Sequence, residues 1–121
     1  MATILLVDDD RAILELLRLV VEDCGHQALT AHDGAMGLAF AQQHVPAMVF
    51  TDLMMPGMDG FALVAALHAD PALRDIPIVI LTAGVVSAER RALLAGVQAM
   101  LAKPFDIAQV EALFADLGET N

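Results

Sequence analysis

Six residues in this chain could do chemistry together. Asp8, Asp9 and Asp10 stand in a row where the apolar run "TILLV" ends, and Asp52 closes a second apolar run. Thr82 ends a third, and Lys103 follows the short segment "AMLA". Carboxylates crowded within a few ångströms repel one another and cannot all stay ionised without a positive partner. An all-oxygen set with few protein ligands suits Mg²⁺, which prefers octahedral geometry and keeps several waters. A hydroxyl and an ammonium beside such an ion would make a site for phosphoryl transfer, the cations neutralising phosphoryl oxygens and the hydroxyl donating to one of them. Asp52 would be the nucleophile, forming an acyl phosphate. Asp8 and Asp9 are neighbours on a strand and point to opposite faces, so they share an ion only where the strand has already turned.

These residues converge only if the fold brings strand ends together. "TILLV" (Thr3–Val7), "AMVFT" (Ala47–Thr51) and "PIVILT" (Pro77–Thr82) are β-rich and apolar on both sides, as strands covered on both faces should be. "HQALTA" and "AMLA" are weaker strand candidates. Helical periodicity fills the gaps. A first helix sets Ile13, Leu16, Leu17, Val20, Val21 and Cys24 on one stripe and stops at Gly25. A second runs from Asp33 to His44, before Pro46; a third follows Asp59-Gly60 and carries Phe61, Leu63, Val64 and Leu67. The fourth is expected from an N-cap at Ser87 to Gly96. The last begins at Asp106, with Ile107, Val110, Leu113, Phe114 and Leu117 facing inward.

Strand then helix, repeated five times, predicts an α/β fold: a doubly wound five-stranded parallel sheet of order 2-1-3-4-5, flavodoxin-like, with helices on both faces. In such sheets ligands bind beyond the carboxyl ends of the strands, where strand order reverses. The first and third strands meet there, which would gather Asp8, Asp9 and Asp52.

Composition narrows the classes. At 121 residues, 58% of them hydrophobic, the chain (1–121) reads as one domain able to build a core. Sixteen acids against six bases give a formal net charge of −10, and Trp and Tyr are absent, which argues against direct nucleic-acid binding. No apolar run is long enough for a membrane span, and "MATILLVDDD" lacks the features of a signal peptide. The lone Cys24 suits a cytoplasmic location. Lys103 is the single lysine among the six bases.

"LLVDDDRAIL", "VFTDLMMPGMDGF", "IVILTA" and "LAKPF", in this order and spacing, resemble the receiver domain of two-component response regulators over essentially the whole chain. The resemblance implies Asp52 as phosphoacceptor, charged by a histidine kinase or a histidine phosphotransfer protein. It implies Asp9 as a direct Mg²⁺ ligand, Asp8 as a ligand through water, and the main-chain carbonyl of Met54 as another. Thr82 and Lys103 would contact the phosphoryl group, the Lys103–Pro104 bond would be cis, and Pro56 and Gly60 would shape the loop after the acceptor. Small Ala83 would leave the donor a path. Catalysis would be limited to self-phosphorylation and self-dephosphorylation, and the signal would leave through the surface of the fourth helix, fifth strand and fifth helix, toward a downstream protein or a second copy.

Blander roles suit several of these residues. Asp10 reads as a helix cap. His26, His32, His44 and His68 lack zinc-like spacing and read as structural or surface residues, and Cys24 as packing. Phosphate-cradling glycine loops are absent, which argues against a flavodoxin. Where receivers carry an aromatic three positions before the lysine, this chain has Met100, flexible enough to repack. Leu94, Val97 and Met100 are expected to leave an apolar patch on the surface. Two other functions fit the same fold: an unphosphorylated interaction module, and a Mg²⁺-dependent phosphatase of small molecules. The first conflicts with the intact acids and lysine. The second needs a further general acid and a cap over the site, neither of which follows Asp52.

Overall fold

The computed structural model describes the backbone of residues 1–119 and side chains up to residue 115. Five strands, β1 (Thr3–Val7), β2 (Gln27–Ala31), β3 (Met48–Asp52), β4 (Ile78–Thr82) and β5 (Ala99–Ala102), alternate with α1 (Arg11–Asp23), α2 (Gly34–His44), α3 (Gly60–Ala69), α4 (Ala88–Arg91) and α5 (Ile107–Glu119). All pairings are parallel and the order is β2-β1-β3-β4-β5. This is the expected doubly wound sheet, with β3 beginning and ending one residue later than the apolar run suggests.

Strand alternation divides the core in two. Leu5, Val7, Val49, Ile78 and Ile80 meet Ala41 of α2 and Leu63, Val64 and Leu67 of α3 on one face. Ile4, Leu6, Met48, Phe50, Val79 and Leu81 meet Leu14, Leu17, Val20 and Val21 of α1 and Val110 and Phe114 of α5 on the other. Each central strand is therefore apolar on both faces except at its ends, where Thr3, Thr51, Asp52 and Thr82 lie, as suits a strand covered on both sides.

Asp10, Asp33, Asp59 and Ser87 cap α1 to α4, each side chain accepting main-chain N–H groups of the first turn. The inward stripe of α1 is Leu14, Leu17, Val20 and Val21, whereas Leu16, expected inside, is 39% exposed. Its place is taken by Leu14, three residues before Leu17 and seven before Val21. Cys24 is the half-buried C-cap residue. Ile107 also differs from expectation and is exposed, while Val110 and Phe114 are buried; Leu117 lies outside the residues whose side chains are described.

The fourth helix departs most. It spans four residues, buries none, and passes into a 3-10 turn, Ala92–Leu94, instead of running to Gly96. Leu93 and Leu94 are adjacent, so only one of them can face the core. Leu94 does, and Leu93 stays 62% exposed. The patch expected at Leu94, Val97 and Met100 is thus only partly exposed: Leu94 is buried, and Val97 and Met100 are half-buried against the α2–α3 side of the core. No helix among the described residues is long and apolar enough to cross a membrane.

Candidate functional site

Sheet register builds the site. Val7 stands opposite Thr51, so Asp8 and Asp52, one step further, emerge side by side. Thr82 pairs with Ala102, which sets Lys103 one step beyond Thr82. The Asp8 N–H still donates to the Ala31 carbonyl at 3.1 Å, after which the chain turns. That turn is held by the Asp10 N–H, which donates to Asp8 Oδ1 at 2.9 Å. The turn lets Asp9 join its neighbour: Asp8, Asp9 and Asp52 present carboxylate oxygens all within 4.8 Å of one another. Asp10 takes no part and accepts from Ala12 and Ile13 as a cap.

Asp52 is held from two directions. Its Oδ1 accepts from the Leu53 N–H at 2.8 Å and the Met54 N–H at 3.4 Å. Its Oδ2 lies 3.3 Å from Lys103 Nζ, which also reaches Asp8 Oδ2 at 3.0 Å. Lys103 itself is set by its N–H, which donates to the Thr82 carbonyl at 2.7 Å, and its bond to Pro104 is cis, as expected. Gly60 keeps the next segment close: a Cβ there would fall 2.2 Å from the Asp52 carbonyl oxygen, so no other residue fits. The same N-terminal end of α3 is fastened by the Gly60 N–H to the Leu53 carbonyl at 2.9 Å.

Asp8 and Asp52 share one lysine, and Asp9 adds a third carboxylate beside them. Burial pushes the Asp8 carboxyl above its ordinary range, outweighing the Asp10 N–H and Lys103, which pull it down; the Asp52 charge adds to the upward push. For Lys103, burial works against the ammonium, yet the hydrogen bond to Asp8 and the charges of Asp8 and Asp52 prevail and hold it above its usual value. The cluster keeps surplus negative charge that a hard cation would neutralise. Its donor set is all oxygen, with Asp8 and Asp52 buried and Asp9 exposed, so one side stays open to water. Those features fit Mg²⁺.

Thr82 stands apart. Its hydroxyl donates to the Gly84 carbonyl at 3.1 Å and accepts from the Gly84 N–H at 3.3 Å, closing a small turn in its own loop. Parity explains this. Asp8, Asp52 and Lys103 continue the alternation of Leu6, Phe50 and Leu101 on the α1–α5 face, whereas Thr82 continues that of Ile80 on the opposite face. Met54 is 67% exposed, and Ala83 is exposed beside it. Of the histidines, His26 is buried, its Nδ1 accepting the Ala2 N–H at 3.0 Å, a structural role. Sequence reasoning did not single out the Leu53 N–H, because every residue carries one, nor Arg90, whose guanidinium lies 4.6 Å over the Phe61 ring.

Residues 4–115 match the family model of the response regulator receiver domain. The chain is 37% identical, over 91% of its length and 46% of the relative's, to the DNA-binding dual master transcriptional regulator RpaA of Synechocystis. It is 40% identical to Protein PilH of Pseudomonas aeruginosa over 68% of each chain. It spans about half the length of RpaA and of response regulator Rre1, and a smaller share of response regulator PleD. Among solved structures it is similar to the Vibrio cholerae chemotaxis protein CheY4, with TM-score 0.86, 30% identity, and coverage of 96% of this chain and 98% of that one. The receiver domain of the sensor histidine kinase PA1611 of P. aeruginosa, with a magnesium ion coordinated in its active-site cleft, superposes with TM-score 0.85 at 26% identity over 95% of each chain. With the β2-β1-β3-β4-β5 sheet, the acidic cleft at its switch point and the match over 4–115, the chain belongs to the response regulator receiver family of two-component signalling.

Proposed function

We propose that this chain is a phosphorylation switch in which Asp52 accepts a phosphoryl group from a histidine kinase or a histidine phosphotransfer protein. The observation that carries the reading is the convergence of Asp8, Asp9 and Asp52 around one lysine, with Lys103 Nζ 3.0 Å from Asp8 and 3.3 Å from Asp52. Asp8, Asp9, Asp52 and the Met54 carbonyl are the residues that would hold Mg²⁺. When bound, the ion supplies charge neutralisation for the phosphoryl oxygens.

The protein's own part is positioning. The Leu53 and Met54 N–H groups orient the Asp52 carboxylate before any donor arrives. An Asp52 oxygen forms the new O–P bond as the donor's N–P bond breaks; the leaving nitrogen keeps the electron pair and takes a proton. Lys103 gives up part of its contact with Asp52 to pair with the transferred group, and exposed Ala83 leaves the approach open. Later attack of water on phosphorus breaks the O–P bond and restores the carboxylate. The Thr82 hydroxyl reaches the phosphoryl group only by leaving Gly84, and that exchange moves the loop ahead of α4. A shift already accessible to the free protein is thereby favoured.

The reading is tested by intact mass after incubation with acetyl phosphate and Mg²⁺. One added phosphoryl group is expected, absent in Asp52→Asn and after chelation of the metal. An unchanged mass, together with no complex with beryllofluoride, would reject it.

A further inference from the structure

Between α3 and the loop leading into α4 lies a cavity of about 310 Å³. Its apolar wall is Leu53, Phe61 and Val86; Thr82 and Gly84 line it from the loop after β4, and Arg90 stands at the rim. Ligand cavities begin at roughly 300 Å³, so this one has room for a single large side chain and little more. The Arg90 guanidinium lies over the Phe61 ring, 4.6 Å from its centroid. No carboxylate among the described residues pairs with Arg90, nor with Arg11, Arg74 or Arg91, and of these four Arg90 alone stands at the rim of this cavity. In a chain of formal net charge −10, Arg90 sets a guanidinium that no side-chain carboxylate contacts beside an apolar hollow, with Glu89 and Arg91 as its chain neighbours.

From this we infer that the α3–α4 cavity is a docking site for a partner protein segment that inserts one large apolar side chain and places a neighbouring carboxylate on Arg90. The apolar side chain replaces water against Leu53, Phe61 and Val86. The carboxylate supplies the anion that Arg90 lacks, in the bidentate geometry a guanidinium favours. Phe61 serves as a rigid floor, because its neighbour Gly60 is pressed against the Asp52 backbone. The site lies on the α3 side of α4, and no residue of β5 or α5 lines it.

N-acetyl-phenylalanine, an apolar side chain bearing a carboxylate, is the probe, titrated against the unphosphorylated full chain by amide NMR; the outcome is then independent of any chemistry at Asp52. Saturable shifts confined to Phe61, Gly84, Val85, Val86 and Ser87 are expected. N-acetyl-phenylalaninamide, which lacks the charge, should bind about ten-fold more weakly, the effect of roughly one charge-assisted contact. Arg90→Gln should remove that difference and Arg91→Gln, outside the cavity, should preserve it. Three results would overturn the inference: no localised shifts with the carboxylate, equal binding of acid and amide, or an equal loss with both arginine variants, which would mean diffuse charge attraction. Shifts that follow protein concentration alone would assign the face to self-association instead.

Discussion

The two sides of the cleft are built differently. On the acceptor side, Asp52 is fixed by two main-chain N–H groups and Lys103, and the following turn is pinned by Gly60 against the strand end. On the responding side, Thr82 is bonded to Gly84 within its own loop, Val85 is fully exposed, and α4 is four residues long with no buried side chain. A preorganised acceptor lowers the cost of orienting the reacting group, whereas a loosely held loop is free to move. Under the proposed function this contrast would place chemistry on one side and response on the other, and substitutions on the two sides should separate those properties.

The largest expected effect comes from Lys103→Met. Losing a charged group aimed at the transferred phosphoryl should slow phosphorylation by acetyl phosphate about 10²- to 10³-fold. The same variant should bind Mg²⁺ more tightly in calorimetric titration, because the ammonium competes for Asp8 and Asp52. Equal phosphorylation rates would remove Lys103 from the chemistry.

Asp8→Asn probes the surplus negative charge. Mg²⁺ at a hundred-fold excess over its dissociation constant should stabilise the native protein by about 2.7 kcal/mol in denaturant unfolding, and the variant should lose most of that gain. Without metal, the variant should be the more stable protein at pH 7. Burial raises the Asp8 pKa in the folded state, so its contribution to stability is fullest below the ordinary carboxyl pKa near 4 and is lost as pH rises through the raised value. The advantage of Asp8→Asn should therefore close as pH falls below about 4. A variant less stable than the parent at pH 7 would show that the ion pair with Lys103 outweighs burial.

Thr82→Ala should weaken phosphorylation only several-fold, consistent with about 1 kcal/mol for a neutral hydrogen bond. The amide shifts of residues 83–87 induced by beryllofluoride should nonetheless shrink sharply. Unchanged shifts would mean that the loop moves without Thr82 and would dissolve the proposed division.

Val45→Gly is the smallest change and a control remote from both sides. Val45 ends α2 at φ 44°, a left-handed conformation that a β-branched residue adopts at a cost, and it is 53% exposed, so little burial is lost. Glycine should stabilise the fold by about 0.5 kcal/mol, the relief of strain being partly offset by its greater freedom when unfolded. Phosphorylation should not change.

Much of the site was legible because it lies at strand ends. Apolar runs marked β1, β3 and β4, and each ended at or next to a polar residue that the sheet order then gathered. Parity was equally readable but carries a second message: Phe50 to Asp52 and Leu101 to Lys103 fall on one face, Ile80 to Thr82 on the other. Counting in twos would have placed Thr82 away from Lys103. The α4 region resisted reading because Ser87 is a sound N-cap and Gly96 a sound stop, while the segment between offers no stripe at helical spacing to bury. The Leu53 and Met54 N–H groups leave no mark in a sequence at all. Arg90 over Phe61 joins residues far apart in the chain, and no local pattern announces such a contact.

The central claim, that Asp52 carries the phosphoryl group, is tested most directly by reducing the acetyl-phosphate-treated protein with borohydride and sequencing its peptides by mass. An acyl phosphate is reduced to the alcohol, so the account predicts homoserine at position 52 and nowhere else, dependent on Mg²⁺. An intact aspartate at 52, or homoserine at Asp8 or Asp9 in its place, would contradict it.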